Sequence, residues 1–190
     1  LKEAMDFLMQ QRRLSEELSD KLQLARTSGN IGWIYEGEEN YDKALEFYKE
    51  SLEINSQLGI LPEIIRIKDN MGFVYQAKKD YDMALFFHSS ALKSAEEIGD
   101  TNSVININAN IGHANKAGGK LAEAEQAYNT GIKKAQESGA NSFLPELFIE
   151  KADLFFLQNK FTEAKKLCEK GLKPAEETNN AEYVEKGKAL

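Results

Sequence analysis

The chain has 190 residues and a net charge of −7, with 42% apolar residues, 29% charged residues and three prolines. That composition is globular and excludes disorder, and the acidic balance argues against a general nucleic-acid binder, which needs a basic face to displace phosphate counterions. No apolar run approaches the roughly 20 residues that span a bilayer, and one cysteine, Cys168, excludes an internal disulfide and suits a reducing, cytoplasmic location.

The opening segment, Leu1-Lys2-Glu3-Ala4-Met5, lacks the basic stretch and apolar core of a signal peptide. It aligns instead with Tyr41-Asp42-Lys43-Ala44-Leu45, because the chain repeats itself at a shift of 40. Asn30-Ile31-Gly32 recurs as Asn70-Met71-Gly72 and Asn110-Ile111-Gly112. Ala44 recurs as Ala84, Ala124 and Ala164, and Leu52 as Leu92, Ile132 and Leu172. Tyr35 recurs as Tyr75, Asn115 and Phe155, and Tyr41 as Tyr81, Leu121 and Phe161. Gly59, Gly99 and Gly139 close the copies, with Asn179 in the fourth.

In chain order, residues 1–20 read as an orphan second helix. First helices then fall near 21–37, 62–78, 102–117 and 144–157. Second helices fall near 41–57, 81–97, 121–137 and 161–177. Four hairpins result, 21–60, 61–100, 101–140 and 141–180, followed by a truncated first helix over 181–190. Asn40 and Asp80 suit N-caps. Pro62 sits harmlessly in a first turn. Pro145, deeper in its repeat, delays the fourth first helix, and Pro174 is expected to kink or shorten its helix. Gly32, Gly72 and Gly112, with Ala152, stand inside helices, where glycine costs about 1 kcal/mol against alanine. Their shared register implies close helix contact, with Ala44, Ala84, Ala124 and Ala164 as expected partners and Tyr35, Tyr75, Tyr41 and Tyr81 filling the space beside them. Gly59, Gly99 and Gly139 fit left-handed caps. The phase of the two ends suggests a piece of a longer array that could self-associate through exposed terminal helices.

The ordered set Asn-x-Gly-x-x-Tyr, then Tyr-Asp-x-Ala-Leu, resembles the tetratricopeptide repeat (TPR). The period of 40 is similar to the longer-helix variety in kinesin light chains, Pins-type adaptors and Rap-type regulators. The resemblance implies an all-α fold, a right-handed α-solenoid of antiparallel helical hairpins forming one array over 1–190. It also implies a scaffold or sensor in signalling that binds a protein or peptide, with first helices lining the concave surface.

No converging catalytic set is visible, and no cofactor is implied. There is no Walker loop, Gly-x-Gly-x-x-Gly or Gly-x-Ser-x-Gly motif, and no closely spaced Cys or His pair for a metal. His88 and Cys168 share a packing register with Tyr48 and Tyr128. The feature above background is a ladder of Asn30, Asn70 and Asn110 within first helices, where asparagine is a mediocre former. An amide can both donate to and accept from a peptide group, and the resemblance implies that this register clamps an extended peptide's backbone. The alternative is that the same asparagines only bond a neighbouring hairpin's backbone. Arg26 and Arg66 lie one turn before the ladder, with Asn106 in that place in the third copy, and Trp33, Phe73 and His113 lie three residues after it. The arginines would favour an acidic group on a ligand and the aromatics an apolar anchor; alternatively Glu36 and Asp69 pair with the arginines. The fourth copy carries Glu146, Glu150 and Asp153, so the surface is expected to turn acidic there.

Two other functions compete with the binding module. One is a regulatory enzyme of Rap-phosphatase type, for which Gln10, Gln11 and Gln23 are the available glutamines, although Leu1–Asp20 aligns with a repeat helix. The other is a purely structural or oligomerising array.

Overall fold

The computed structural model describes residues 2–177 and 181–189. They form ten α-helices in successive antiparallel pairs. The helices are α1 (Lys2–Glu17), α2 (Lys21–Gly37), α3 (Tyr41–Leu58), α4 (Leu61–Ala77), α5 (Tyr81–Glu97), α6 (Thr101–Ala117), α7 (Leu121–Ser138), α8 (Leu144–Leu157), α9 (Phe161–Glu177) and α10 (Ala181–Ala189). Two compact units divide them: unit 1 is Leu1–Ile98 and unit 2 is Gly99–Leu190.

The caps explain the breaks. Asp80 accepts a hydrogen bond from the Met83 backbone N–H, and Asp20 and Asp100 do the same for Gln23 and Ser103. Asn40 stands at an N-cap but makes no side-chain cap bond. Pro145 falls in the first turn of α8, after a 3-10 turn at Asn141–Phe143 that delays the helix. The helix α9 continues past Pro174 to Glu177, so the proline does not shorten it. Asn179 lies outside the described residues.

Left-handed residues punctuate the chain every half-repeat. Gly59, Gly99 and Gly139 have φ of 70°, 70° and 74°, and Ser19 takes the same register at 55°. A second series joins each first helix to its second helix: Glu39, Lys79, Gly119 and Asn159, with φ of 57°, 61°, 78° and 60°. This conformation costs a non-glycine L-residue about 1–2 kcal/mol, against an entropic cost of roughly 0.5–1 kcal/mol for glycine. Glu39 and Lys79 are both exposed. Replacing either with glycine should therefore stabilise unit 1 by about 0.5 kcal/mol. Chemical denaturation checks this, with Gly119→Ala expected to move unit 2 the opposite way.

The interior glycines pack first against rings; of the alanines expected from the repeat, Ala44 also comes close, its carbonyl oxygen 3.2 Å from where a Cβ on Gly32 would stand. A Cβ on Gly32 would meet Tyr48 Cδ1 at 2.7 Å, and one on Gly72 would meet His88 Cε1 at 2.5 Å. The Tyr128 ring covers Gly112 in the same way. All three rings come from the second helix of the same hairpin and are fully buried. The fourth hairpin carries Ala152 and Cys168 at these registers, so a methyl gained on one helix accompanies a ring lost from the other. Tyr35 and Tyr75 instead stack on Phe47 and Phe87 at 5.6 and 5.3 Å. In unit 1, Ala44, Leu45, Tyr48, Ile67, Met71 and Val74 form one core. In unit 2, Ile105, Ala109, Ala124, Tyr128, Ala135, Leu147 and Leu154 form another.

Candidate functional site

The face of the first helices is built differently in the two units. In unit 1, α2 presents Arg26, Asn30 and Trp33 to solvent, with Trp33 66% exposed. On α4, Arg66 is exposed, and Asn70 and Phe73 are half-buried. Arg66 lies against α2: its Nη2 is 3.2 Å from where a Cβ on Gly29 would stand. Arg66 pairs with Glu63 one turn back, donating from Nη2 at 2.7 Å, and not with Asp69. Asp69 engages His88 instead, Oδ1 to Nδ1 at 2.7 Å. Glu36 is not an arginine partner either, because its Oε2 accepts the Tyr48 hydroxyl at 2.6 Å. Burial raises the Glu36 carboxyl above its ordinary pKa, and the Tyr48 bond partly offsets the rise. Asn70 lies near enough to the Tyr48 hydroxyl to act on its ionisation, so this rung of the asparagine ladder has a structural neighbour.

Register 33 normally leans on the ring beneath it. Phe73 meets His88 edge-on at 5.3 Å, and His113 meets Tyr128 at 5.7 Å. Trp33 stands out from this pattern in its solvent exposure.

In unit 2 the same face is filled by its own ions. Asn106 is exposed, whereas Asn110 is buried at 9% exposure. Glu150 is not an exposed acidic rung, as the sequence suggested, but is 5% exposed. Lys116 Nζ donates to Glu150 Oε2 at 2.8 Å and to Asp153 Oδ2 at 2.7 Å. Lys186, from α10, donates to Glu150 Oε1. His113 Nε2 lies 3.3 Å from Glu150 Oε2, a charge contact when the ring is protonated. Burial alone would raise the Glu150 carboxyl. His113 and Lys116 overcome that and hold it well below the ordinary carboxylate range. The Tyr128 hydroxyl is buried with no hydrogen-bond partner, and the Glu150, Asp153 and Glu146 charges join burial in raising its pKa.

Sequence reasoning missed this network because its members come from α6, α8 and α10 at different registers. A lysine at register 36 facing a glutamate at register 30 of the next hairpin was the available signal. Among the described residues, no three His, Cys, Asp or Glu side chains could hold a metal ion, and no helix is long and apolar enough to cross a membrane.

A family model, the tetratricopeptide repeat, matches residues 1–57 and 63–137. The chain therefore belongs to the TPR family, whose members are generally protein-interaction scaffolds. No curated protein sequence matches it. Among solved structures, the apo form of RapI superposes with a TM-score of 0.86 at 18% identity, covering 98% of this chain and 53% of RapI. The Rap conjugation regulator of plasmid pLS20, in complex with the Phr* peptide, gives 0.74 at 16% identity, with coverages of 98% and 53%. The kinesin light chain-like repeats of Podosopora anserina give 0.78 at 14% identity, covering 94% of this chain and 88% of theirs. At these identities the likeness is one of fold. The chain spans about half the length of the Rap proteins.

Proposed function

We propose that this chain is the protein- or peptide-binding scaffold of a larger signalling or regulatory protein, and that it receives an extended segment on the first-helix face of unit 1. The observation that carries this reading is the exposed trio Arg26, Asn30 and Trp33 on α2, beside Arg66 of α4. A large aromatic ring left 66% exposed, two turns along α2 from the exposed Arg26, offers an anchor for an apolar residue on a ligand that also carries an acidic one. The asparagines then serve unequally: Asn30 is exposed and faces a ligand backbone, whereas Asn70 is half-buried near the Tyr48 hydroxyl. Asn106, Asn110 and His113 belong to unit 2 and contribute there. A peptide-bound Rap relative fits this reading.

A purely structural role does not account for Trp33. A Rap-type phosphatase role draws support only from fold likeness. Gln11 and Gln23 bond one another, Nε2 of Gln23 donating to Oε1 of Gln11 at 3.1 Å, and so are committed to helix packing. We read the chain as non-enzymatic.

Trp33 is the sole tryptophan and reports directly on the face. A library of short peptides pairing an acidic with an aromatic residue should contain members that shift its emission. Asn30→Ala should weaken such a peptide about tenfold, the loss of one well-formed peptide hydrogen bond, without moving the melt. Asn70→Ala should move both affinity and melt. Peptide binding indifferent to both Asn30→Ala and Arg26→Ala would sink the reading.

A further inference from the structure

The two units answer one structural question in different ways, namely what satisfies the polar tip of the ring above the interior glycine. In unit 1 the Tyr48 hydroxyl is satisfied by Glu36 of its own hairpin, with Asn70 of the next hairpin nearby. The corresponding positions around Tyr128 are Lys116 and Glu150. These two bond one another, and the Tyr128 hydroxyl, on a residue with 0% exposure, is left without a partner. A buried hydroxyl without a partner is rare and costly. The second oxygen of Glu150 is taken by Lys186, whose side chain is 36% exposed and which sits on α10. That helix has nine residues, too few to be stable alone in water, so it depends on docking contacts such as this one.

We propose that Lys186 is a built-in ligand occupying a site in unit 2 for one cationic group, the guanidinium of an arginine on a bound peptide. The proposal rests on the reading that first-helix faces of this chain receive a polypeptide. Charge decides the class of group. Glu150 and Asp153 are balanced by Lys116 and Lys186, with the His113 ring also against Glu150. Replacing Lys186 with another cation keeps that balance. A neutral group would leave a buried carboxylate one cation short, and an anion would add to the excess. Donor count favours arginine over lysine. A guanidinium presents several N–H donors in a fixed fork, so one can serve Glu150 and leave others over for a neighbouring acceptor such as the Tyr128 oxygen. Lys186 leaves that hydroxyl unserved. An arginine ligand therefore gains what the internal lysine does not supply, and its binding should release α10.

The test uses the full chain and acetyl-Gly-Arg-Gly-amide as probe, with acetyl-Gly-Gln-Gly-amide as control. Calorimetry should find the arginine probe bound at least tenfold more tightly by Lys186→Gln than by the unaltered chain. Adding Glu150→Gln should abolish the gain, and the glutamine probe should gain nothing. Equal affinity before and after Lys186→Gln, or an equal gain for both probes, overturns the proposal. Should Lys186→Gln fold poorly, the unaltered chain decides: saturating arginine probe must accelerate amide exchange across α10, and unchanged exchange is the overturning result. Failure of the peptide reading looks different. It would appear as indifference of unit 1 ligands to Asn30→Ala, a substitution that leaves the arginine probe's affinity in unit 2 unchanged.

Discussion

Gly112→Ala should destabilise unit 2 by about 2 kcal/mol, the middle of the range for overpacking a filled core. On helix propensity alone the change is favourable by about 1 kcal/mol, so a loss of stability would itself locate the effect in packing. A Cβ on Gly112 would stand 2.7 Å from Tyr128 Cδ1. Carbon atoms at best contact are about 3.5–4.0 Å apart, so the ring would have to withdraw by nearly an ångström. Tyr128 is fully buried and bears edge-on against His113, so it has nowhere to withdraw to. A fall of roughly 8–16 °C in the unit 2 transition is the expected reading for a loss of that size in a domain of 60–100 residues. The fourth hairpin supplies the control, because it already carries Ala152 opposite Cys168. Tyr128→Cys alone opens a cavity and should cost about 3–5 kcal/mol. Combined with Gly112→Ala, it should cost less than the two changes summed, by about 1 kcal/mol or more, since the clash disappears with the ring. Strict additivity in that cycle would mean that the glycine register is not set by the ring.

This pairing marks the boundary of what could be read from the chain itself. The period, the helix spans and the glycine caps were legible because each reflects a local rule: apolar spacing, a cap residue, a left-handed turn. The need for a small residue at Gly32, Gly72 and Gly112 was legible too. The partner was not, because Tyr48, His88 and Tyr128 differ chemically, and only the backbone brings them to a common place. The left-handed residues at Glu39 and Lys79 were hidden for the opposite reason, since their side chains give no sign of the conformation they are forced into. The candidate site divides the same way. Its residues could be named by register, and Arg26, Asn30 and Trp33 do stand exposed on α2. Register could not say that Asn110 is buried or that Glu150, on α8, is neutralised from two other helices. Those outcomes depend on where side chains of adjacent hairpins meet, and a one-dimensional repeat does not carry that information.

Glu150→Ala should cost unit 2 about 3 kcal/mol at neutral pH, because it removes one partner from a buried ion cluster. Lys116, with 15% side-chain exposure, would keep Asp153 but lose its second carboxylate, and Lys186 would lose the anchor that ties α10 to α8. The pH dependence separates this account from a simple packing loss. The folded state holds the Glu150 carboxyl well below its ordinary pKa of 4.5, His113 and Lys116 overcoming the opposing effect of burial. A depressed carboxylate stabilises the fold above its unfolded pKa and loses that contribution as pH falls toward the folded value. The gap between the unaltered chain and Glu150→Ala should therefore be widest at neutral pH and narrow as pH drops below 4.5. Lys116 acts at the other end. Burial alone would lower its pKa, but Glu150 and Asp153 raise it above 10.5, so its contribution is complete below that value and is lost only as pH rises through the raised one. Urea unfolding from pH 3 to pH 7, followed by amide exchange in α8 to isolate unit 2, reads the first of these effects. A stability gap that stayed constant across that range would show that Glu150 acts through its volume and not through its charge.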